Sequence, residues 1–243
     1  MKLHSGVVKL VILLLVTTLY GQLVAPFARS FGSTEAYYLF NKGLLAILLV
    51  AYVVMTGQAR AAGLTGSSRL ATLPVYWPLF LLIVLLMLAP TAPPDAQTMM
   101  LFAGVAVSVA IAEELMFRGL VFHWFRDQTV RRQILISALA FGGAHLFGLL
   151  VTDAVAVILA QSVFASAVGA VIACARARDD SIWLPISVHA GFDFVALTAA
   201  GGIGGALADT PETVLRLLVS GLLIWLWAAW LIWRAPRHVP APA

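Results

Sequence analysis

The longest apolar segment of this chain runs from Thr98 to Phe125 and reads TMMLFAGVAVSVAIAEELMFRGLVFHWF. A helix of about 20 apolar residues crosses the hydrocarbon core of a bilayer, so this segment predicts a membrane-spanning helix. It nevertheless carries Glu113, Glu114 and Arg118 in its second half. An ionisable side chain inside a membrane costs at least a few kcal/mol, and such residues mark functional positions by default.

The rest of the chain is similarly apolar. Of its 243 residues, 62% are hydrophobic and 11% are charged, whereas soluble domains carry about 25% charged residues. This balance argues against nucleic-acid binding and predicts an all-α polytopic membrane protein, a single domain over residues 1–243 with a bundle of about eight transmembrane helices. The Gly-rich connector from Gly201 to Gly205 is typical of a flexible loop. The predicted spans are Val7–Val24, Tyr37–Thr56, Leu73–Ala89, Thr98–Phe125, Gln133–Leu150, Asp153–Cys174, Ile182–Ala200 and Val214–Trp233.

The positive charges indicate how these spans are oriented. With a cytoplasmic N-terminus, 11 of the 15 Lys and Arg residues fall on the cytoplasmic side, and Arg118 lies inside a span. The other three, Arg29, Lys42 and Arg216, fall on the opposite side. Because cytoplasmic loops are enriched in Lys and Arg, we expect an integral protein of a bacterial cytoplasmic membrane with both termini in the cytoplasm.

The two adjacent glutamates predict different roles. Glu114 and Arg118 are one helical turn apart with the acid on the favourable N-terminal side, so their spacing predicts an ion pair. Glu113 lies about 100° around the helix from Glu114 and has no obvious counter-ion on the same helix. Burial without a counter-ion makes a carboxylate a stronger base, which suits it to general-base catalysis near neutral pH. The alternative is that both glutamates serve only as polar glue between helices.

Two later spans carry three more ionisable residues. His145 lies four residues after Phe141, and His189 lies four residues before Asp193, so each pair shares one helix face. Measured along the helices from basic residues at their cytoplasmic ends, Glu113, His145 and His189 all lie about 17–20 Å into the membrane. We therefore expect the three side chains to meet in one layer. An intramembrane His standing alone is often only a structural hydrogen-bonding group.

The three motifs together resemble those of the CPBP family of intramembrane proteases, which includes the CAAX prenyl endopeptidases and bacteriocin-immunity proteins. The resemblance covers about residues 106–198, the expected catalytic core. The matching patterns are Glu-Glu-x-x-x-Arg at Glu113, Glu114 and Arg118, Phe-x-x-x-His at Phe141 and His145, and His-x-x-x-Asp at His189 and Asp193.

This resemblance implies an endopeptidase acting on membrane-associated peptides or proteins, with lipidated ones among the candidates. It makes Glu113 the base that activates water, and it implies that His145 holds that water. His189 and Asp193 would stabilise the oxyanion, and the family usually has Asn where this chain has Asp193. A carboxylate there repels an oxyanion unless it is protonated or turned toward His189. The resemblance leaves Glu114, Arg118 and Phe141 to shape the site or contact the substrate.

We expect no metal and no other cofactor, because the resemblance implies a metal-free mechanism. The sequence also lacks the signatures of serine, aspartyl and zinc membrane proteases. Two Glu, two His and one Asp are nevertheless residue types that bind metals, so a metal-dependent intramembrane peptidase is one alternative. A non-catalytic membrane protein is another, either an immunity factor that binds a partner or a transporter with a buried proton relay.

Overall fold

The computed structural model describes residues 2–88 and 94–236. In this part of the chain, eight helices are long and apolar enough to span a membrane. Each overlaps one predicted span, which confirms the all-α polytopic fold. The predicted end at Ala89 and the basic residue Arg237 lie outside the described residues. The eight candidate spans are Leu3–Ser30, Thr34–Met55, Leu70–Met87, Ala96–Trp124, Val130–Leu150, Val155–Arg176, Trp183–Ala200 and Pro211–Arg234.

The described residues form helices and turns and contain no strand. Several spans combine an α-helix with a short segment of another helical type. Ala25–Ser30, Leu70–Tyr76 and Leu146–Leu150 are 3₁₀ segments, and Leu115–Val121 is a π-helical segment in the middle of a continuous span. The α-helices are α1 Lys2–Val24, α2 Thr34–Met55, α3 Trp77–Met87, α4 Ala96–Glu114, α5 Phe122–Trp124, α6 Val130–His145, α7 Val155–Arg176, α8 Trp183–Ala200, α9 Ile203–Ala206 and α10 Pro211–Arg234.

Short polar side chains fix where several spans begin. Ser33, Asp95, Thr129 and Thr210 each accept a hydrogen bond from a backbone N–H in the first turn of the following helix, which satisfies a group that the helix itself leaves unpaired. The hydrogen bond from the Thr98 N–H holds the pKa of the exposed Asp95 carboxyl below its usual value. These caps explain why the spans begin a few residues before their apolar runs.

Helix α8 ends where glycine permits a left-handed backbone. Gly201 has a φ of 72° and Gly202 has a φ of 117°, backbone angles that residues other than glycine rarely adopt. The loop expected from Gly201 to Gly205 is a turn that leads into the short helix α9. Its backbone is tied to the start of α2, because the Ile203 N–H donates to Glu35 Oε1 at 3.3 Å.

Close contact between α6 and α7 positions one side of the site. The Ser162 hydroxyl donates to the Gly142 carbonyl at 2.6 Å. A Cβ at Gly142 would lie only 2.5 Å from the Ser166 Cβ, so glycine is required for the two backbones to approach this closely. Helix α7 is the most buried of the spans, and α10 packs against it as well.

A loop clasp joins the first part of the chain to the second. It consists of residues 58–69, which follow α2, and residues 177–183, which lead into α8. The Gly63 carbonyl accepts a hydrogen bond from the Ile182 N–H at 3.1 Å, and Asp179 Oδ2 accepts one from the Arg69 N–H at 2.8 Å. Gly66 approaches Asp180 so closely that a Cβ would lie 2.2 Å from the Asp180 carbonyl oxygen.

Candidate active site

The ring of Phe141 contacts three ionisable residues of the motifs. Its centroid lies 5.0 Å from that of His145 and 6.0 Å from that of His189, with both histidine rings edge-on. The Arg118 guanidinium carbon lies 4.4 Å from the same centroid, close enough for a cation–π contact. The structure therefore brings the three motifs, from α4 and its π-helical continuation, α6 and α8, into one layer.

One part of this layer is fully enclosed, and we call it the inner network: Tyr76, Glu114, Arg118 and His189. Glu114 Oε1 accepts hydrogen bonds from Arg118 Nη1 at 3.1 Å and from His189 Nδ1 at 2.7 Å. The side chains of Glu114 and Arg118 have no exposed surface, and that of His189 is 7% exposed. The ion pair that the spacing predicts is therefore present, and His189 extends it.

Four polar atoms of the inner network have no hydrogen-bond partner among the described residues. They are the Tyr76 hydroxyl oxygen, Glu114 Oε2, and Arg118 Nε and Nη2. Tyr76 belongs to the 3₁₀ segment before α3, is fully buried and lies within electrostatic reach of Glu114 and Arg118. Buried polar groups of this kind usually bind internal water, so the inner network is a polar centre inside an apolar bundle.

The second part of the layer is the outer pair, Lys42 and Glu113. Lys42 Nζ lies 3.0 Å from Glu113 Oε1, and the two side chains are 26% and 12% exposed. Glu113 has no counter-ion on its own helix, but the premise that it is buried unpaired is wrong, because tertiary packing supplies a cation from α2. The placement of Lys42 on the outer side of the membrane is wrong for the same reason, since it lies within the second span.

His145 is the last residue of α6, and one ring nitrogen is engaged by the backbone. Its Nδ1–H donates to the Phe141 carbonyl, 2.9 Å away. In the neutral imidazole, a proton on Nδ1 leaves Nε2 as a hydrogen-bond acceptor. The side chain is half-buried and lies within electrostatic reach of Glu113. His145 therefore presents an acceptor nitrogen close to the outer pair.

His189 lies between two carboxylates. While Nδ1 contacts Glu114, Nε2 lies 3.5 Å from Asp193 Oδ2. A ring whose two nitrogens both face carboxylates is paired best as the imidazolium, which has two donors. The Asp193 side chain is 26% exposed, so it reaches from the enclosed His189 toward the accessible side of the layer.

Sequence reasoning missed two residues of the layer. Tyr76 carried no signal, because a tyrosine at the start of an apolar span is ordinary. Lys42 did carry one, since an ionisable residue inside an apolar run is unusual wherever it occurs. Among the described residues, no group of three or more His, Cys, Asp and Glu side chains is arranged to hold a metal ion.

Comparison with known protein families matches residues 95–195 to the model described as type II CAAX prenyl endopeptidase Rce1-like. This match confirms the resemblance to the CAAX proteases over that region and supports a membrane peptidase. It contains every residue of the three motifs, whereas Lys42 and Tyr76 lie outside it. Comparisons with curated proteins and with solved structures gave no significant match.

Proposed function

We propose that this protein is an intramembrane endopeptidase in which Glu113 activates the attacking water. One observation carries the choice of Glu113 over its neighbour. The Glu113 side chain is 12% exposed, whereas that of Glu114 is completely buried and bound to both Arg118 and His189. A general base must reach the water that it deprotonates, and of the two carboxylates only Glu113 borders accessible space.

The proposed reaction uses the other motif residues around this base. Glu113 accepts a proton from water, the water oxygen bonds to the peptide carbonyl carbon, and the carbonyl becomes an oxyanion. Collapse of this intermediate breaks the C–N bond, and the proton passes from Glu113 to the departing amine. His145 Nε2 serves as an acceptor that orients the water, and the imidazolium of His189 supplies positive charge to the oxyanion.

Asp193 has a distinct part in this proposal. Its carboxylate faces His189 Nε2 at 3.5 Å, which favours the arrangement in which it orients the histidine. A carboxylate paired with an imidazolium adds less repulsion to an oxyanion than a free one does. The proposed substrates are membrane-associated peptides or proteins, and no metal takes part.

The test compares new protein termini in membranes of cells that express wild type or Glu113→Gln at equal abundance. Glu212→Gln is the matched control, because it makes the same change at an exposed residue in the first turn of α10. We expect the new termini to vanish with Glu113→Gln and to persist with Glu212→Gln. Their persistence with Glu113→Gln would overturn the proposal, and their loss in a chelator-treated wild-type sample would replace it with a metallopeptidase.

A non-catalytic role is the second candidate, and the outer pair is the observation that favours it. The Lys42–Glu113 ion pair connects α2 to α4, as polar glue between helices would. A binding or immunity protein would keep its cellular phenotype when Glu113→Gln is introduced, because glutamine preserves the shape and most of the hydrogen bonding. Retention of the phenotype without any change in protein termini would favour this candidate.

We also propose that both termini face the cytoplasm of a bacterial cell. In this orientation Arg29 and Arg216 lie near the outer ends of the first and last spans, and most other basic residues lie at the cytoplasmic ends, an asymmetry that favours cytoplasmic termini. Native Cys174 is buried, so a cysteine introduced at exposed Arg126 or Arg29 can be labelled selectively. An impermeant thiol reagent should label Arg29→Cys and spare Arg126→Cys in intact cells, and the reverse pattern would invert the topology.

A further inference from the structure

Lys42 is an intramembrane cation that the motifs do not include. It lies on α2, outside residues 95–195, and is 71 residues away from Glu113 in the sequence. We propose that Lys42 is a positioning residue of the active site, which fixes the Glu113 carboxylate and offsets the negative charge of Asp193. This inference rests on the proposed function and adds a residue to it.

The first support is the geometry of the outer pair. Lys42 Nζ lies 3.0 Å from Glu113 Oε1, a hydrogen-bonded contact. A carboxylate that is held through one oxygen has a fixed orientation for the other, and general-base catalysis depends on such alignment with the attacking water. Glu113 itself lies on a rigid helix, so the contact from α2 restricts the remaining freedom of its side chain.

The second support is the balance of charge in the layer. Glu113, Glu114 and Asp193 are three acids, whereas Arg118 is the one motif residue with a permanent positive charge. Arg118 binds Glu114 in the inner network, so it does not serve the other two carboxylates directly. Lys42 lies within electrostatic reach of both Glu113 and Asp193. With Lys42 and a protonated His189, three positive charges face three negative ones.

The third support is the surroundings of the lysine. Its ammonium group contacts Glu113 and lies within electrostatic reach of Asp193, Tyr38, His145 and Tyr20. The Lys42 side chain is 26% exposed, so it is partly accessible, as Glu113 is. When water gives its proton to Glu113, the negative charge moves from the carboxylate to the forming oxyanion. The ion pair makes Glu113 a weaker base, and the same cation offsets this cost by stabilising the oxyanion that forms next to the carboxylate.

The test is a double-mutant cycle on Lys42 and Asp193, measured as the rate at which new termini appear after induction. We expect Lys42→Met to lower this rate about 100-fold, and Lys42→Arg to stay within about 10-fold of wild type because it keeps the cation. Adding Asp193→Asn to Lys42→Met should recover about 10-fold, since it removes one of the two carboxylates that the lysine offsets. Lys9→Met, at an exposed lysine within the first span, is the matched control.

Unfolding in detergent shows whether each variant is folded, and rates are compared only between variants with equal melting behaviour. A wild-type rate for Lys42→Met would overturn this inference, as would a loss that neither Lys42→Arg nor Asp193→Asn relieves. Glu113→Gln separates the two proposals. If it stays inactive while Lys42→Met is fully active, the peptidase proposal stands and the role of Lys42 fails; if Glu113→Gln cleaves normally, the peptidase proposal itself fails.

Discussion

Glu113 and Glu114 are chemically identical neighbours whose surroundings differ in every respect. Glu114 is sealed in the inner network with Arg118 and His189, whereas Glu113 forms the outer pair with Lys42 and borders accessible space. A rotation of about 100° around one helix separates the two carboxylates. The difference teaches that, in a membrane bundle, accessibility and the source of the counter-ion separate a structural carboxylate from a reactive one.

The largest effect should come from disrupting the inner network. Arg118→Met removes the guanidinium from the buried Glu114 and leaves His189 as its remaining partner, and breaking a buried ion pair in this way costs about 3–5 kcal/mol. The free energy of unfolding in detergent measures the loss. Arg216→Met is the control, because Arg216 is exposed within the α10 span. If Arg118→Met and Arg216→Met had the same free energy of unfolding, the inner network would not stabilise the fold and the contrast between Glu114 and Glu113 would fail.

The next effect concerns the outer pair and falls on activity. Glu113→Gln should lower the rate of peptide-bond cleavage about 10²–10⁴-fold, the contribution of a positioned general base. Its effect on the free energy of unfolding should be smaller than that of Arg118→Met, because both members of the outer pair are partly exposed. Parallel measurements of cleavage rate and unfolding would contradict the comparison if Glu113→Gln unfolded the protein.

Two adjacent glycines sharpen the comparison in the same way as the two adjacent glutamates. Gly142→Ala places a Cβ 2.5 Å from the Ser166 Cβ and pushes α6 away from α7, whereas a Cβ at Gly143 meets nothing within 4 Å. We expect Gly142→Ala to cost about 1–3 kcal/mol in unfolding free energy, as overpacking does. Gly143→Ala should be neutral or stabilising by about 0.5–1 kcal/mol. A reversed order would show that the α6–α7 contact is not tight.

The smallest effect concerns Asp95, an exposed carboxylate just before α4, the helix that carries Glu113 and Glu114. The pKa of Asp95 is lowered by its cap hydrogen bond from the Thr98 N–H, so its contribution to stability is complete above the unfolded pKa of about 3.9 and is lost as the pH falls through the folded pKa. Asp95→Asn keeps a good cap and should remove this acid-dependent part. The melting temperatures of wild type and Asp95→Asn at pH 7 and pH 3 test this prediction. A larger fall in melting temperature at pH 3 for Asp95→Asn than for wild type would contradict it.

The sequence predicts what depends on near neighbours along the chain. Apolar length alone locates the eight spans, because each helix needs only its own residues to be compatible with lipid. The Glu114–Arg118 pair follows from a four-residue spacing within one span. Residues that share a helix face or a depth, such as His145 and His189, are likewise placed by helix geometry.

What the sequence could not predict depends on which helices are neighbours. The contact of Lys42 with Glu113 joins residues 71 positions apart, and that of His189 with Glu114 joins residues 75 positions apart. No spacing rule relates residues so far apart in the sequence. These contacts depend on how α2 and α8 pack against α4. Lys42 lies inside the predicted span Tyr37–Thr56 and was counted with the outer-side charges only because it is near the outer end of that span; its partner Glu113 is on another helix.

The loop clasp has a consequence for how much of the chain forms an autonomous unit. The family match covers residues 95–195, but residues 58–69 supply the backbone partners of Ile182 and Asp179 at the entrance to α8. A fragment cut to the matched region would lose these partners, together with Lys42 and Tyr76, and would expose the face of α7 that α10 covers. We therefore expect that the matched region does not fold as an independent unit, and that a separately expressed N-terminal half would have to reassociate with it to rebuild the site.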